Sequence, residues 1–275
     1  MSKIKVNGIR LYYEIYGQGF PFILIRGLGS NADHWYEQVP AFSAHYQVIV
    51  FDNRGIGRSD AGEGDFSIST MAADIKGLMD GLGLRRAHIL GVSLGGLVAQ
   101  EMALAYPQYV QGLVLGITAC GGPHAIRRPE AKYNVPPEKL FTGSQAEARQ
   151  ALGGLFAEKT LKDDFETVER YLATSQRYPP APEVLMRQRK AGEAYDAFDD
   201  LPRITAPTLV LAGSDDARLP PENSRILSQR IPNAKLHIIE GGGHMVLIEQ
   251  PRAVNQIILD FLKAVDENES QSTAD

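Results

Sequence analysis

Gly91-Val92-Ser93-Leu94-Gly95 sits between two apolar runs of different character. Ala87-His88-Ile89-Leu90 leads in and reads as a buried strand. Gly96-Leu97-Val98-Ala99-Gln100-Glu101-Met102-Ala103-Leu104-Ala105 leads out and reads as a helix. A serine in a strand–turn–helix of this kind is held on a sharp, strained turn with its hydroxyl pushed outward. Glycines two residues to either side remove side chains that would collide at such a turn. The following helix aims its unpaired N–H groups and the positive end of its dipole back at the serine. G-x-S-x-G also occurs in chains where it has no chemical role, so its weight depends on what accompanies it.

Working outward, buried strands alternate with helices. Ile4 to Val6 and Leu11 to Tyr16 read as a strand pair joined at Asn7-Gly8, a favoured hairpin turn. Phe22 to Ile25, Val48 to Phe51, the Ala87 run and Leu113 to Ile117 read as strands buried on both faces. Helices are expected over His34 to Ala44 and over Ile68 to Leu82, the latter with Ser67 as N-cap and Gly83 at its end. Further strands follow at Thr208 to Leu211 and Lys235 to Ile239, and helices near Glu222 to Arg230 and Ala253 to Val265. This alternation predicts an α/β fold, a mostly parallel sheet with helices on both faces.

From about residue 123 to 203 strand signals vanish. Charged helix formers take over, punctuated by Pro129, Pro136, Pro137, Pro179, Pro180, Pro182 and Pro202. The expected organisation is a core of residues 1–122 and 204–275 carrying a helical cap of residues 123–203. Aromatic and apolar residues of that insertion, such as Tyr133, Phe141, Leu155, Phe156, Met186 and Phe198, line a pocket or form the cap's own core. Residues 266–275 are polar and are expected to form a frayed tail.

Composition narrows the function classes. The chain has 275 residues, is 44% hydrophobic and 22% charged, and carries a net charge of −5. There is no block of basic residues, which disfavours nucleic acid as a partner. The single cysteine, Cys120, rules out an internal disulfide and reads as a packed small residue. No apolar segment of signal-peptide type follows Met1, and a cytoplasmic setting is expected. The longest apolar run, Ala87 to Tyr106, is interrupted by glycines, His88, Gln100 and Glu101, so two short elements explain it better than a membrane span. The chain has no Gly-Lys dipeptide for a phosphate loop, no G-x-G-x-x-G after its first strand, and no H-E-x-x-H or cysteine cluster for a metal. No cofactor and no metal are expected.

A serine nucleophile needs a base, and the base needs an acid to orient it. His34, His45, His88, His124 and His237 lie within or beside expected elements and read as packing or surface residues. His244 follows Gly241-Gly242-Gly243 directly after the last strand, where a glycine-rich loop can reach over the sheet edge. The acid is sought at the end of the Thr208 strand, where Asp215 and Asp216 are adjacent. Neighbours there point in different directions, so only one can serve.

The order Ser93, acid, His244, together with the pentapeptide, resembles the α/β-hydrolase superfamily over about residues 5–265. The resemblance implies an eight-stranded sheet with an inserted helical cap. In that superfamily the acid commonly sits three residues after a strand-end glycine and four before a proline. Gly213 and Pro220 then imply Asp216. The alternative placement, after the strand preceding the cap, finds no acid in Gly116 to Gly122. Superfamily members that act on halides or epoxides use an aspartate nucleophile, which Ser93 argues against.

An oxyanion hole needs two backbone N–H groups. The residue after the serine supplies one, Leu94. The resemblance implies Leu28, after Gly27, for the other. Superfamily members often have His-Gly there, whereas this chain has Arg26. Arg26 either braces neighbouring loops or attracts an anionic substrate group. The stretch from Asp52 to Asp60 also matches a superfamily pattern, and there Asp52 and Arg54 read as ties between loops. The implied activity is hydrolysis of a small-molecule carboxylic ester or lactone. Hydrolysis of a C–C bond, cofactor-free perhydrolysis, and a ligand-binding protein that keeps the triad are the alternatives.

Overall fold

Asn7 and Gly8 turn the chain back between β1 (Ser2–Val6) and β2 (Ile9–Tyr16), with φ of 41° and 81°. Two successive left-handed residues are what a type I′ hairpin requires. The computed structural model describes residues 2–127 and 139–272. Its other strands are β3 (Pro21–Ile25), β4 (Gln47–Phe51), β5 (Ala87–Val92), β6 (Val110–Gly116), β7 (Thr208–Gly213) and β8 (Lys235–Ile239). Among the described residues they form one eight-stranded sheet in the order β1-β2-β4-β3-β5-β6-β7-β8. The β1–β2 and β2–β4 pairs are antiparallel and every pair from β4 to β8 is parallel.

Before β7 the helices are α1 (Gln38–Phe42), α2 (Ile68–Gly81), α3 (Leu94–Ala105), α4 (Lys139–Thr142), α5 (Gln145–Leu152), α6 (Glu158–Asp163), α7 (Phe165–Arg177) and α8 (Pro182–Glu193). After it come α9 (Glu222–Arg230), α10 (Val246–Glu249) and α11 (Pro251–Ser272). Helices α4 to α8 all fall between β6 and β7. The strands are apolar on both faces because each face has its own helical layer. Ile23, Ile25, Ile49, Ile89 and Leu115 join α2, α3 and α9 in one core. Their neighbours Phe22, Leu24, Val50, Leu90 and Val114 join α1 and α11 in another. The period of two along each strand sends alternate residues to opposite layers.

Two elements depart from the sequence expectation. The single helix over His34 to Ala44 is a 3-10 turn at Ala32–Trp35 followed by α1. Pro40 has no N–H to return to Tyr36, so it fits only in the first turn of a new helix. The tail expected to fray from residue 266 is helical to Ser272. Its polar composition conceals long-range partners. Asp266 accepts from the Tyr46 hydroxyl at 3.0 Å and lies 2.9 Å from His88 Nε2, while Glu269 pairs with Arg86. Residues 273–275 lie outside the described residues.

The Asp52–Asp60 loop is tied down by buried charge. Arg54 donates to both Asp74 oxygens, at 2.6 and 2.7 Å, across to α2. Asp52 accepts from Arg58 and from the Ala32 N–H. Removing one partner of such a buried pair costs about 3–5 kcal/mol, because the other charge is left uncompensated. No helix of the described residues is long and apolar enough to cross a membrane.

Candidate active site

β5 ends at Val92 and α3 begins at Leu94, which leaves Ser93 alone to make the turn. Its φ and ψ are 53° and −121°, a region that L side chains rarely occupy. Two approaches make the turn possible. A Cβ on Gly91 would land on the Gly95 carbonyl, and a Cβ on Gly95 would land on the Ile25 carbonyl. The strained serine is held by its N–H to the Gly116 carbonyl at 3.0 Å, and by the Thr118 hydroxyl donating to its own carbonyl at 2.7 Å.

Ser93, His244 and Asp216 are brought together. The Ser93 hydroxyl lies 3.1 Å from His244 Nε2, and His244 Nδ1 lies 2.7 Å from Asp216 Oδ2. Asp216 is fully buried, and its other oxygen accepts the Arg218 and Leu219 N–H groups at 2.9 Å each. Nδ1–H therefore donates to Asp216, and the Nε2 lone pair faces the serine hydroxyl. Asp215 is exposed, and its carboxylate accepts from the Ser214 hydroxyl instead.

Leu94 is the first residue of α3, where helix N–H groups have no partner within the helix. Leu28 lines the same space as Ser93. A Cβ on Gly27 would stand 3.1 Å from that of Ser93, so the Gly27-Leu28 loop packs directly on the nucleophile's turn. In front of Ser93 is a space of about 580 Å³, counting its opening to solvent, lined by Arg26, Leu28, Ser93, Tyr171, His244 and Met245 among others. Helices α4 and α7 contribute Leu140, Phe141 and Tyr171 to this lining. Phe141 and Leu155 line it, Phe156 packs behind them, Met186 is exposed and Phe198 stacks on His124. Tyr133 lies outside the described residues.

The remaining histidines are elsewhere. His34 is fully buried between Asn31 and Ser175, His88 meets Asp266, and His45, His124 and His237 are exposed. Cys120 is buried. Among the described residues no cluster of His, Cys, Asp and Glu could hold a metal.

Sequence reasoning missed two supports. Gln188 on α8 accepts the Gly29 N–H at 3.0 Å and so braces the Leu28 loop. Glu249, partly buried on α10, accepts the Gly243 N–H and the Ala157 N–H at 2.9 Å each, and the Thr160 hydroxyl at 2.6 Å. One carboxylate thus joins the histidine loop to the start of α6. Burial pushes its pKa up against the pull of these three donors. A glutamate five residues beyond the histidine carried no distinguishing signal, because two of its partners, Ala157 and Thr160, come from distant chain. Glu249→Gln turns one acceptor into a donor facing an N–H group. The expected cost is about 1–3 kcal/mol by denaturant unfolding. A loosened His244 is expected to lower kcat roughly 10- to 100-fold, with a smaller change in KM. Unaltered kcat would leave the bridge with a purely structural role.

The family model for the alpha/beta hydrolase fold matches residues 21–251. The chain belongs to the alpha/beta hydrolase fold family. Among curated relatives of this hydrolase is RutD of Azorhizobium caulinodans, named for carbamate hydrolysis, with 31% identity over 94% of this chain and 96% of that one. A thermophilic esterase from Thermogutta terrifontis, solved with malate bound, superposes with a TM-score of 0.83 at 31% identity, covering 96% of this hydrolase and 99% of that chain. The enol-lactonase of Burkholderia xenovorans LB400 gives a TM-score of 0.83 at 28% identity, covering 95% and 100%.

Proposed function

We propose that this protein is a serine hydrolase that cleaves a carboxylic ester or lactone by acyl transfer through Ser93, His244 and Asp216 to water. The observation that carries the reading is the unbroken hydrogen-bond chain from Ser93 through His244 to Asp216, at 3.1 and 2.7 Å. His244 takes the Ser93 proton as Oγ attacks the carbonyl carbon. Asp216 holds the imidazole in the tautomer that can accept that proton and stabilises its charged form. The Leu28 and Leu94 N–H groups receive the developing oxyanion, each worth on the order of 3 kcal/mol in the transition state. His244 then returns the proton to the leaving alkoxide. Water, deprotonated by His244, attacks the acyl-serine, and the acid is released as Ser93 recovers its proton. Helices α4 to α8 act as a cap over this chemistry, and no cofactor takes part.

The relatives set the range of acyl groups to try. Enol-lactone and carbamate carbonyls are attacked by the same nucleophile, and the malate held by the Thermogutta esterase brings acidic substrates into the range. The test is exposure to a fluorophosphonate, followed by peptide mass mapping, alongside a panel of short activated esters, lactones and carbamates. The expected result is one adduct, on Ser93, with loss of all turnover in parallel. Turnover that survives stoichiometric labelling of Ser93 would overturn the reading. Labelling without turnover of any panel member would favour a ligand-binding protein.

A further inference from the structure

Arg26 forms part of the wall of the space in front of Ser93 and is only 4% exposed. Its guanidinium lies over the Trp35 ring, 4.6 Å from the centroid, and Tyr171 lines the same space. Two other arginines have carboxylates: the buried Arg54 has Asp74, and the partly buried Arg58 has Asp52 and Asp33. Acids that could have served Arg26 are engaged elsewhere. Asp33 pairs with Arg58 and Arg177, and Glu37 pairs with Arg170. Among the described residues no ion pair involves Arg26. Burying a guanidinium without an anion costs several kcal/mol, and desolvation pulls its pKa down accordingly.

The surroundings repeat the deficit. Arg26 Nε, Trp35 Nε1 and Tyr36 Oη are buried, and none has a hydrogen-bond partner among the described residues. All three can donate, and each is left without an acceptor among the described residues. Among the described residues the lining of the space in front of Ser93 includes Arg26 and no Asp or Glu side chain, in a chain whose net charge is −5. A low-dielectric pocket with cations on its wall concentrates anions.

We propose that Arg26 receives a carboxylate of the substrate, so that the pocket selects acidic esters or lactones over neutral ones of equal size. The turnover part of this proposal rests on the serine-hydrolase reading, and the binding part does not. A guanidinium can meet a carboxylate with two parallel N–H donors, which fixes direction as well as affinity. Trp35 beneath it supplies a flat face that keeps the fork in place. The carboxylate restores the missing counter-charge, and the scissile carbonyl of the same molecule is held over Ser93.

The tryptophan also supplies the measurement. It is the only one in the chain, so its fluorescence reports on the Arg26 neighbourhood with no turnover needed. Succinate titrated into the wild-type protein is expected to change that fluorescence saturably, and to inhibit hydrolysis competitively. In Arg26→Gln the affinity for succinate is expected to fall roughly 10- to 100-fold. The ratio of kcat/KM for mono-p-nitrophenyl glutarate to that for p-nitrophenyl pentanoate is expected to fall by the same factor. Equal succinate binding in wild type and Arg26→Gln, or an unchanged ratio, overturns the proposal. A wild-type protein that hydrolyses esters but shows no succinate binding also overturns it, and leaves the hydrolase reading standing. Succinate binding that depends on Arg26 in a protein that hydrolyses nothing upholds the carboxylate subsite and removes the hydrolase reading. Should Arg26→Gln fail to fold by circular dichroism, Arg26→Lys keeps the charge and loses the fork. Weakened succinate binding there supports the proposal, and undiminished binding overturns it.

Discussion

Ser93→Ala is expected to lower kcat for a short activated ester by roughly 10⁵- to 10⁶-fold, the scale on which a serine nucleophile works with its base. The substitution removes one oxygen and leaves the rest of the machinery in place. His244 still meets Asp216 at 2.7 Å, and Thr118 still holds the backbone carbonyl of position 93. Alanine has a Cβ as serine does, so the strain at φ 53° is the same in both proteins. Stability is therefore expected to stay within about 0.5 kcal/mol of wild type. Steady-state rates and thermal unfolding on one preparation separate the two effects. A variant that folds normally and keeps a substantial fraction of its activity would remove Ser93 from the nucleophile's place.

Asp216→Asn is expected to lower kcat about 10⁴-fold, and Asp215→Asn to leave it close to wild type. The hydrogen bonds of Asp216 explain the asymmetry. Its Oδ1 accepts the Arg218 and Leu219 N–H groups, so an asparagine must keep its carbonyl oxygen on that side. The NH₂ group is then turned toward His244 Nδ1. That nitrogen has to become an acceptor, which moves the imidazole proton to Nε2, opposite the Ser93 hydroxyl. The base is then blocked while the geometry is intact. Asp215 is exposed and bonded to Ser214, so its amide analogue changes nothing near the histidine. Comparison of kcat/KM for the two variants on one ester decides the matter. A larger loss in Asp215→Asn would transfer the orienting role to that residue.

Much of the fold was legible because parallel strands announce themselves. Phe22 to Ile25, Val48 to Phe51 and Thr208 to Leu211 are apolar at every position because both sheet faces are covered, and the strands were found within a residue or two. Ser67 was legible as a cap because its side chain does a local job, accepting the Thr70 N–H. Features that depend on distant chain were not legible. Asp266 and Glu269 look like the polar end of a tail until Tyr46, His88 and Arg86 are seen beside them. Glu249 and Gln188 carry no motif, since each bonds to backbone N–H groups of another segment. At the candidate site the pentapeptide and the glycine-rich loop marked Ser93 and His244. The choice between two adjacent aspartates needed the superfamily's spacing. Arg26 was conspicuous only as a departure from that pattern, and its missing counter-charge could not be read from a string of residues.

The contact between Ser93 and His244 joins residues 151 positions apart, and the strands that carry the site meet only through pairings such as Leu113 with Thr208. Such long loops must close before any of these contacts is rewarded, which makes them late events in folding. The helical segments can form early without assembling a nucleophile and its base. Regain of hydrolysis after dilution from denaturant therefore reports the completed sheet, whereas regain of helical dichroism reports its parts. Coincidence of the two recoveries would mean that the site and the helices assemble together, whereas a lag in hydrolysis would mark sheet closure as the later event.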